Sequence, residues 1–154
     1  MRTHGWSGAR PATDNEAIER ILDAASEAIE QRGGDMRIAD VARTLGVSRQ
    51  TVYNYFPGTN TLIEAAATRS GMRFCEILSR HLAGMTDPVE ALVESLAFTL
   101  EWLPSDKHIQ LMLVRDFTKA SAGITSDIGI KFSHGILAGL DVDWATLGLT
   151  DADL

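Results

Sequence analysis

The sequence predicts an all-α fold: an N-terminal three-helix domain of helix-turn-helix form, joined by a long helix to a C-terminal helical domain that looks short at its C-terminal end. Three observations carry this. Apolar residues recur at helical spacing from residue 14 onward, nothing alternates with period two over any length, and glycine or proline breaks cut the pattern into helix-length pieces. The breaks place a disordered arm at 1–12, the helix-turn-helix domain at 13–58 and a helical domain at 59–154.

Residues 1–12 contain Gly5, Gly8 and Pro11 with Arg2 and Arg10 and show no periodicity. They suit a disordered start or, less plainly, an arm whose arginines reach a minor groove. The first helix is predicted from Asp14 to Gln31, with Ile18, Ile21, Leu22, Ala25 and Ile29 on one face and Gly33-Gly34 ending it. In the next helix Ile38, Val41, Ala42 and Leu45 fall at i, i+3, i+4 and i+7, and Gly46 suits the left-handed conformation that ends a helix. Ser48 is placed to cap the third helix. Val52, Tyr53 and Phe56 are its predicted buried edge, leaving Arg49, Gln50, Thr51, Asn54 and Tyr55 free, until Pro57 stops it.

A long helix follows Thr59, its expected cap, with Ile63, Ala66, Ala67, Ser70, Phe74, Ile77 and Leu78 in period through about His81. After a break at 83–88, Pro88 suits a first helical position, and Val89, Leu92, Val93, Leu96 and Leu100 form the predicted stripe of a helix ending before Pro104. Ser105 is expected to cap a helix carrying Ile109, Met112, Leu113 and Phe117. A further helix is predicted over 124–140, weakened by Gly129 and Gly135. Thr150 to Leu154 read as a helix start with no helix after it.

Composition narrows the class. The chain has 154 residues, 45% of them hydrophobic, and a single cysteine, which excludes a disulfide scaffold within one chain. No apolar run reaches the length of a membrane span, and Met1 to Ala12 lacks a signal-peptide core, so a cytoplasmic protein with no membrane partner is expected. Cys75, among Met72, Phe74, Ile77 and Leu78, reads as a core residue. Four scattered histidines, no phosphate-binding glycine loop and no nucleophile elbow leave no catalytic residues, no metal ligands and no cofactor to assign; an enzyme is not expected.

The net charge of −7 argues against a nucleic-acid binder. The charge is uneven, however: residues 1–59 hold seven basic and eight acidic side chains, so most of the excess acid lies in 60–154. The polar side of the first helix, with Glu16, Glu19, Asp23, Glu27 and Glu30, could face away from a groove.

Two short helices joined by a glycine occur in many helical domains, and spacing alone leaves that reading open beside a DNA-reading one. The second helix carries what base edges require. Arg49 and Gln50 can bond bidentately in a major groove, Thr51 can meet a thymine methyl, and the hydroxyls of Tyr53 and Tyr55 can reach phosphates.

Arg37 to Leu62 resembles the DNA-binding domain of TetR-type transcriptional regulators, whose third helix and following turn run close to Gly-Val-Ser-x-x-Thr-Leu-Tyr-x-Tyr/His-Phe-x-x-Lys-x-x-Leu. Here Gly46, Val47, Ser48, Thr51, Tyr53, Tyr55, Phe56 and Leu62 match it, and the likeness extends over about residues 14–82. It implies a ligand-responsive repressor that binds a pseudo-palindromic double-stranded DNA operator as a homodimer. By position it marks Arg49, Gln50 and Thr51 at the bases and Tyr53, Tyr55 and Thr59 at phosphates, with Ser48 and Asn54 as further DNA-binding candidates and Arg37 and Arg43 near the backbone. Thr59 departs from the family's lysine, removing one positive charge per subunit. Arg37 departs from its capping threonine, so that Asp35 is expected to cap instead.

In the second half, Phe98, Trp102, Leu111, Val114 and Ile130 lie off the main apolar sets, and such residues fill a core before they line a cavity. The resemblance favours a cavity for a small-molecule effector, lined by Phe98, Trp102, His108, Met112, Arg115 and Phe117. It also implies two further helices for the dimer interface, which this sequence does not reach. The rival class is a helical interaction or ligand-binding module that keeps the helix-turn-helix shape without reading DNA.

Overall fold

The computed structural model describes residues 5–116 together with Val142, Thr146 and Gly148. The described residues form six α-helices and no strand: α1 (Asp14–Arg32), α2 (Ile38–Leu45), α3 (Arg49–Tyr55), α4 (Thr59–His81), α5 (Pro88–Trp102) and α6 (Lys107–Asp116), with 3-10 turns at Gly33–Asp35 and Leu103–Ser105. The all-α expectation holds. The helix expected over 124–140 and Phe117 lie outside the described residues, as do the side chains of Met112 and Arg115. The chain divides into two compact units, 1–68 and 69–154, with α4 beginning in the first and ending in the second.

In the first unit, Thr13 caps α1 by accepting the Glu16 N–H at 3.1 Å, and Gly33 ends the helix at φ 55°. Ala17, Ile21, Leu22, Ala24, Ala25, Ala28 and Ile29 form its buried face. They enclose a core with Ile38, Val41, Ala42 and Leu45 of α2, Val52 of α3, Phe56, and Leu62, Ile63, Ala66 and Ala67 of α4. Removing this apolar surface from water is the main stabilising contribution, at about 25 cal/mol per Å².

The turn between α2 and α3 is built as expected. Gly46 sits at φ 65°, its N–H bonds the Arg43 carbonyl at 3.1 Å, and the Val47 N–H reaches the Ala42 carbonyl at 2.9 Å. This pair of reversed bonds satisfies carbonyls that the end of a helix otherwise leaves orphaned.

Three capping expectations are corrected. Arg37, not Asp35, holds the N-cap position of α2. A guanidinium cannot accept, so the Asp40 carboxylate reaches back to the Arg37 N–H at 3.1 Å while the Arg37 carbonyl takes the Asp40 N–H at 2.8 Å; Asp35 belongs to the preceding 3-10 turn. Thr59 is the first residue inside α4, where the Gly58 carbonyl accepts the Leu62 N–H at 3.1 Å. Asp106, not Ser105, opens α6: its Oδ1 accepts the N–H groups of His108 and Ile109 at 2.8 and 3.0 Å, whereas the Ser105 hydroxyl donates to the Trp102 carbonyl.

In the second unit, Asp87 caps α5 through the Glu90 N–H at 2.8 Å, with Pro88 in the first turn as expected. The orientation of α5 overturns the predicted stripe. Val89, Leu92, Val93, Leu96 and Leu100 are exposed, Leu96 to 60%, whereas Ala91 is fully buried and Phe98 and Trp102 pack on Phe74, Leu78 and Leu82. The Phe74 ring lies 4.4 Å from that of Trp102 and 6.1 Å from that of Phe98. Aromatic rings rather than the aliphatic stripe meet the core here, Phe98 stacked and Trp102 tilted on Phe74, and such rings bring large areas to a contact. Cys75 is half-buried rather than a core residue, and desolvation pushes its thiol up.

Candidate nucleic-acid interface

The site grows from α3. Ser48 accepts the Thr51 N–H at 3.1 Å, which fixes the first turn, and the two hydroxyls lie 2.8 Å apart. Val52 and Phe56 hold the inner side of the helix in the core. Seven residues would be marginal as an isolated helix, so cap and core together give this one its shape.

The exposed surface of α3 carries Arg49, Gln50, Tyr53 and Asn54, which form two adjacent i, i+4 pairs. Gln50 Nε2 donates to Asn54 Oδ1 at 3.1 Å, so the two amides offer one shared edge. Tyr53, expected at the buried edge, is 45% exposed. Thr51, expected to be free, is half-buried beside its cap. Ser48, Arg49, Gln50, Tyr53 and Asn54 thus share one exposed region of the first unit, while Thr59 lies half-buried at the start of α4.

Tyr55 departs most from expectation. Its hydroxyl donates to Asp14 Oδ1 at 3.1 Å, and its ring lies T-shaped to that of Trp6 with the centroids 6.4 Å apart. Desolvation and then the bond to Asp14 hold the phenol proton above the ordinary tyrosine range, so this side chain is a strut between α3 and α1.

The segment preceding α1 supplies the rest of that brace, and periodicity gave no sign of it. In place of the disorder expected over 1–12, residues 5–12 are fastened at several points. The Ser7 hydroxyl donates to the Thr44 carbonyl at 2.6 Å, Arg20 Nη1 to the Ala9 carbonyl at 2.7 Å, and the Ala12 N–H to Glu16 Oε2 at 2.7 Å. That last bond, followed by the Arg20 guanidinium at 2.6 Å, holds the Glu16 carboxyl below the usual carboxylate range. Trp6 and Ser7 take left-handed backbone, φ 80° and 46°, a conformation that persists only where surrounding contacts impose it.

Asp40, almost fully buried, gathers the remaining charge. Besides the Arg37 N–H it meets Arg43 Nη1 at 3.1 Å and Arg32 Nε at 3.7 Å. Arg32 was not expected at the site; its position in the last turn of α1 was the available signal.

Of the residues expected around an effector, Phe98 and Trp102 belong to the aromatic core. His108 is buried with Nδ1 3.3 Å from Asp106 Oδ1, a carboxylate that also takes the Ser70 hydroxyl through Oδ2. His81 pairs with Glu94 at 2.7 Å. No group of three or more metal-ligating side chains occurs among the described residues, and no helix among them is long and apolar enough to cross a membrane.

The family of bacterial regulatory proteins designated tetR matches residues 21–66, a range that runs from α1 through the glycine turn and α3 into α4. Two curated relatives, both uncharacterised HTH-type transcriptional regulators from strains of Mycobacterium tuberculosis, are each 33% identical over 96 residues, 62% of this chain. The chain spans about half the length of these relatives, 46% of each. No solved structure matches it significantly. The αL glycine turn, the capped α3 and the family match converge on one conclusion: residues 21–66 form a helix-turn-helix of the kind found in bacterial regulatory proteins of the tetR family.

Proposed function

We propose that this chain is a cytoplasmic DNA-binding transcriptional regulator that reads a major groove with α3. The observation that carries this is the exposed row Arg49, Gln50, Tyr53 and Asn54 on a helix fixed by a serine cap, a glycine turn and the Tyr55–Asp14 strut. Arg49 and the Gln50–Asn54 amide pair supply hydrogen bonds to base edges, and Ser48 and Thr51 stand at the groove-side start of the helix. Tyr53 and Thr59 supply neutral phosphate contacts. Arg37 and Arg43 add positive charge beside the backbone.

In the fuller reading the protein is a repressor that binds a pseudo-palindrome as a homodimer, with two reading heads about 34 to 36 Å apart. A small-molecule effector bound in the second unit, near His108, Met112, Arg115 and Phe117, would shift that spacing through a coupling of about 1 to 3 kcal/mol. The exposed apolar face of α5 supports pairing with a second copy, since such a face is costly to leave in water.

The test is a mobility-shift titration against the DNA flanking the protein's own gene, run beside a sizing column. A specific shift by a dimer supports the regulator. A folded protein that gives no shift favours the interaction module, a reading supported by the net charge of −7 and by Thr59 in place of a lysine.

A further inference from the structure

We propose that the first unit holds a seat for a phosphate group, built by Arg32, Arg37, Arg43 and Arg49 around the buried Asp40 and adjoining the base-reading row at Arg49. These side chains, with Asp35 and Ala39, line an open cleft of about 570 Å³. Four guanidiniums face two carboxylates there, an excess of positive charge in a chain whose net charge is −7.

Asp40 organises the cleft. Its Oδ1 meets Arg43 Nη1 at 3.1 Å and Arg32 Nε at 3.7 Å, while Oδ2 is taken by the Arg37 N–H at 3.1 Å. Each guanidinium carries five N–H donors, and one carboxylate oxygen engages only one edge of each. Asp40 draws Arg43 to the cleft through a hydrogen bond and Arg32 through a longer ion pair, and one carboxylate oxygen leaves further donors of each guanidinium to an anion. Arginine suits that role, because its planar fork matches two phosphate oxygens at once. Asp40 is a positioning residue, and Arg32 is the addition that neither the motif nor the periodicity marks.

The phosphate has two possible sources: the backbone of a duplex, which rests on the DNA-binding reading above, or a phosphate-bearing solute, which does not. The geometry favours the duplex, because Arg49 belongs both to the cleft lining and to the exposed row of α3.

The experiment uses the full chain and a fluorescent duplex of random sequence, with anisotropy measured across salt concentration for wild type, Arg32→Gln, Arg43→Gln, Arg32→Lys and the charge control Arg80→Gln. Thermal melts verify that each variant is folded. Removing one phosphate contact makes the slope of log K against log salt shallower by about 0.9. That change is expected for Arg32→Gln and Arg43→Gln, with partial rescue in Arg32→Lys and no change in Arg80→Gln.

A second arm titrates inorganic phosphate and pyrophosphate while following the backbone amide resonances of residues 32–49. If the duplex binds with an unchanged slope in Arg32→Gln, but phosphate shifts those amides in wild type and not in the variant, the seat takes a solute. Unchanged slopes together with no phosphate response overturn the proposal while leaving DNA binding intact. If wild type fails to bind any duplex, the regulator reading falls, and the phosphate arm alone decides the seat.

Discussion

Tyr55 donates its hydroxyl proton to Asp14, 3.1 Å away, across 41 residues of sequence, and so ties the last residue of α3 to the first residue of α1. A side chain expected to reach DNA is engaged inside the domain. Tyr55→Phe should lower the thermal midpoint by no more than a few degrees while leaving the salt dependence of DNA binding unchanged. Tyr53→Phe should weaken binding to all sequences alike. Because the phenol proton is held above its usual range, the bond's contribution is present below about pH 10 and is lost as pH rises through the raised value. A spectrophotometric titration of the Tyr53→Phe variant measures this directly, and ionisation at or below the ordinary value would dissolve the strut.

Gln50 and Asn54 act as one unit through their 3.1 Å amide bond. Gln50→Ala and Arg49→Ala should each relax base preference at one operator position by about 1 to 3 kcal/mol. Asn54→Ala should also disturb the position read by Gln50, since it frees that amide to rotate. Competition binding with single-base operator variants checks this, and independent, additive effects of the two amides would separate them.

Gly46 tests the turn. At φ 65° a Cβ would lie no closer than 3.8 Å to the nearest atoms of Ser7, so Gly46→Ala meets conformational strain rather than a clash. The expected cost is about 1 to 2 kcal/mol. In a unit of this size each kcal/mol corresponds to a fall of roughly 4 to 8 °C in thermal midpoint. Asparagine should be tolerated better, because it enters the left-handed region more readily.

How much was legible follows from these residues. The α1–α3 arrangement could be read because each part is local: a glycine at the end of a periodic stretch, a serine three residues before the Thr51 N–H it caps, an apolar set at i, i+3, i+4 and i+7. Trp6 and Ser7 could not, since their contacts join positions far apart in sequence and follow no period, and Arg32 offered only its place in the last turn of α1. The α5 stripe was misread for another reason. Periodicity finds a face but not which face is buried, and Phe74 with Trp102 decides it by ring packing.

Phe74 is accordingly the residue on which the described core of the second unit depends. Phe74→Ala should cost about 3 to 5 kcal/mol and remove the ring against which Phe98 and Trp102 pack. Leu96→Ala, on the exposed side of α5, should change the stability of an isolated protomer far less. Chemical denaturation of both variants at low protein concentration distinguishes the two faces.

Glu16 sets an acid limit on the brace. Its carboxyl is held low by the Ala12 N–H and then by Arg20, so the stabilisation is complete above the ordinary glutamate range of about 4 to 4.5. It is lost as pH falls through the lowered value. Exchange of the Ala12 amide, followed by NMR down to acid pH, should reveal this loss, and Glu16→Gln should remove the pH dependence.

Gly5 lies so close to the turn that a Cβ on it would meet the Gly46 carbonyl oxygen at 2.8 Å. The practical consequence concerns how the protein is handled. A purification tag fused directly at Met1 loads the few residues before this contact, and proteolytic trimming past Ser7 would release both the Thr44 carbonyl and the Tyr55 ring. Preparations that differ only at their amino terminus should therefore differ in how firmly α3 is held, and DNA affinities measured on them are comparable only when that end is the same.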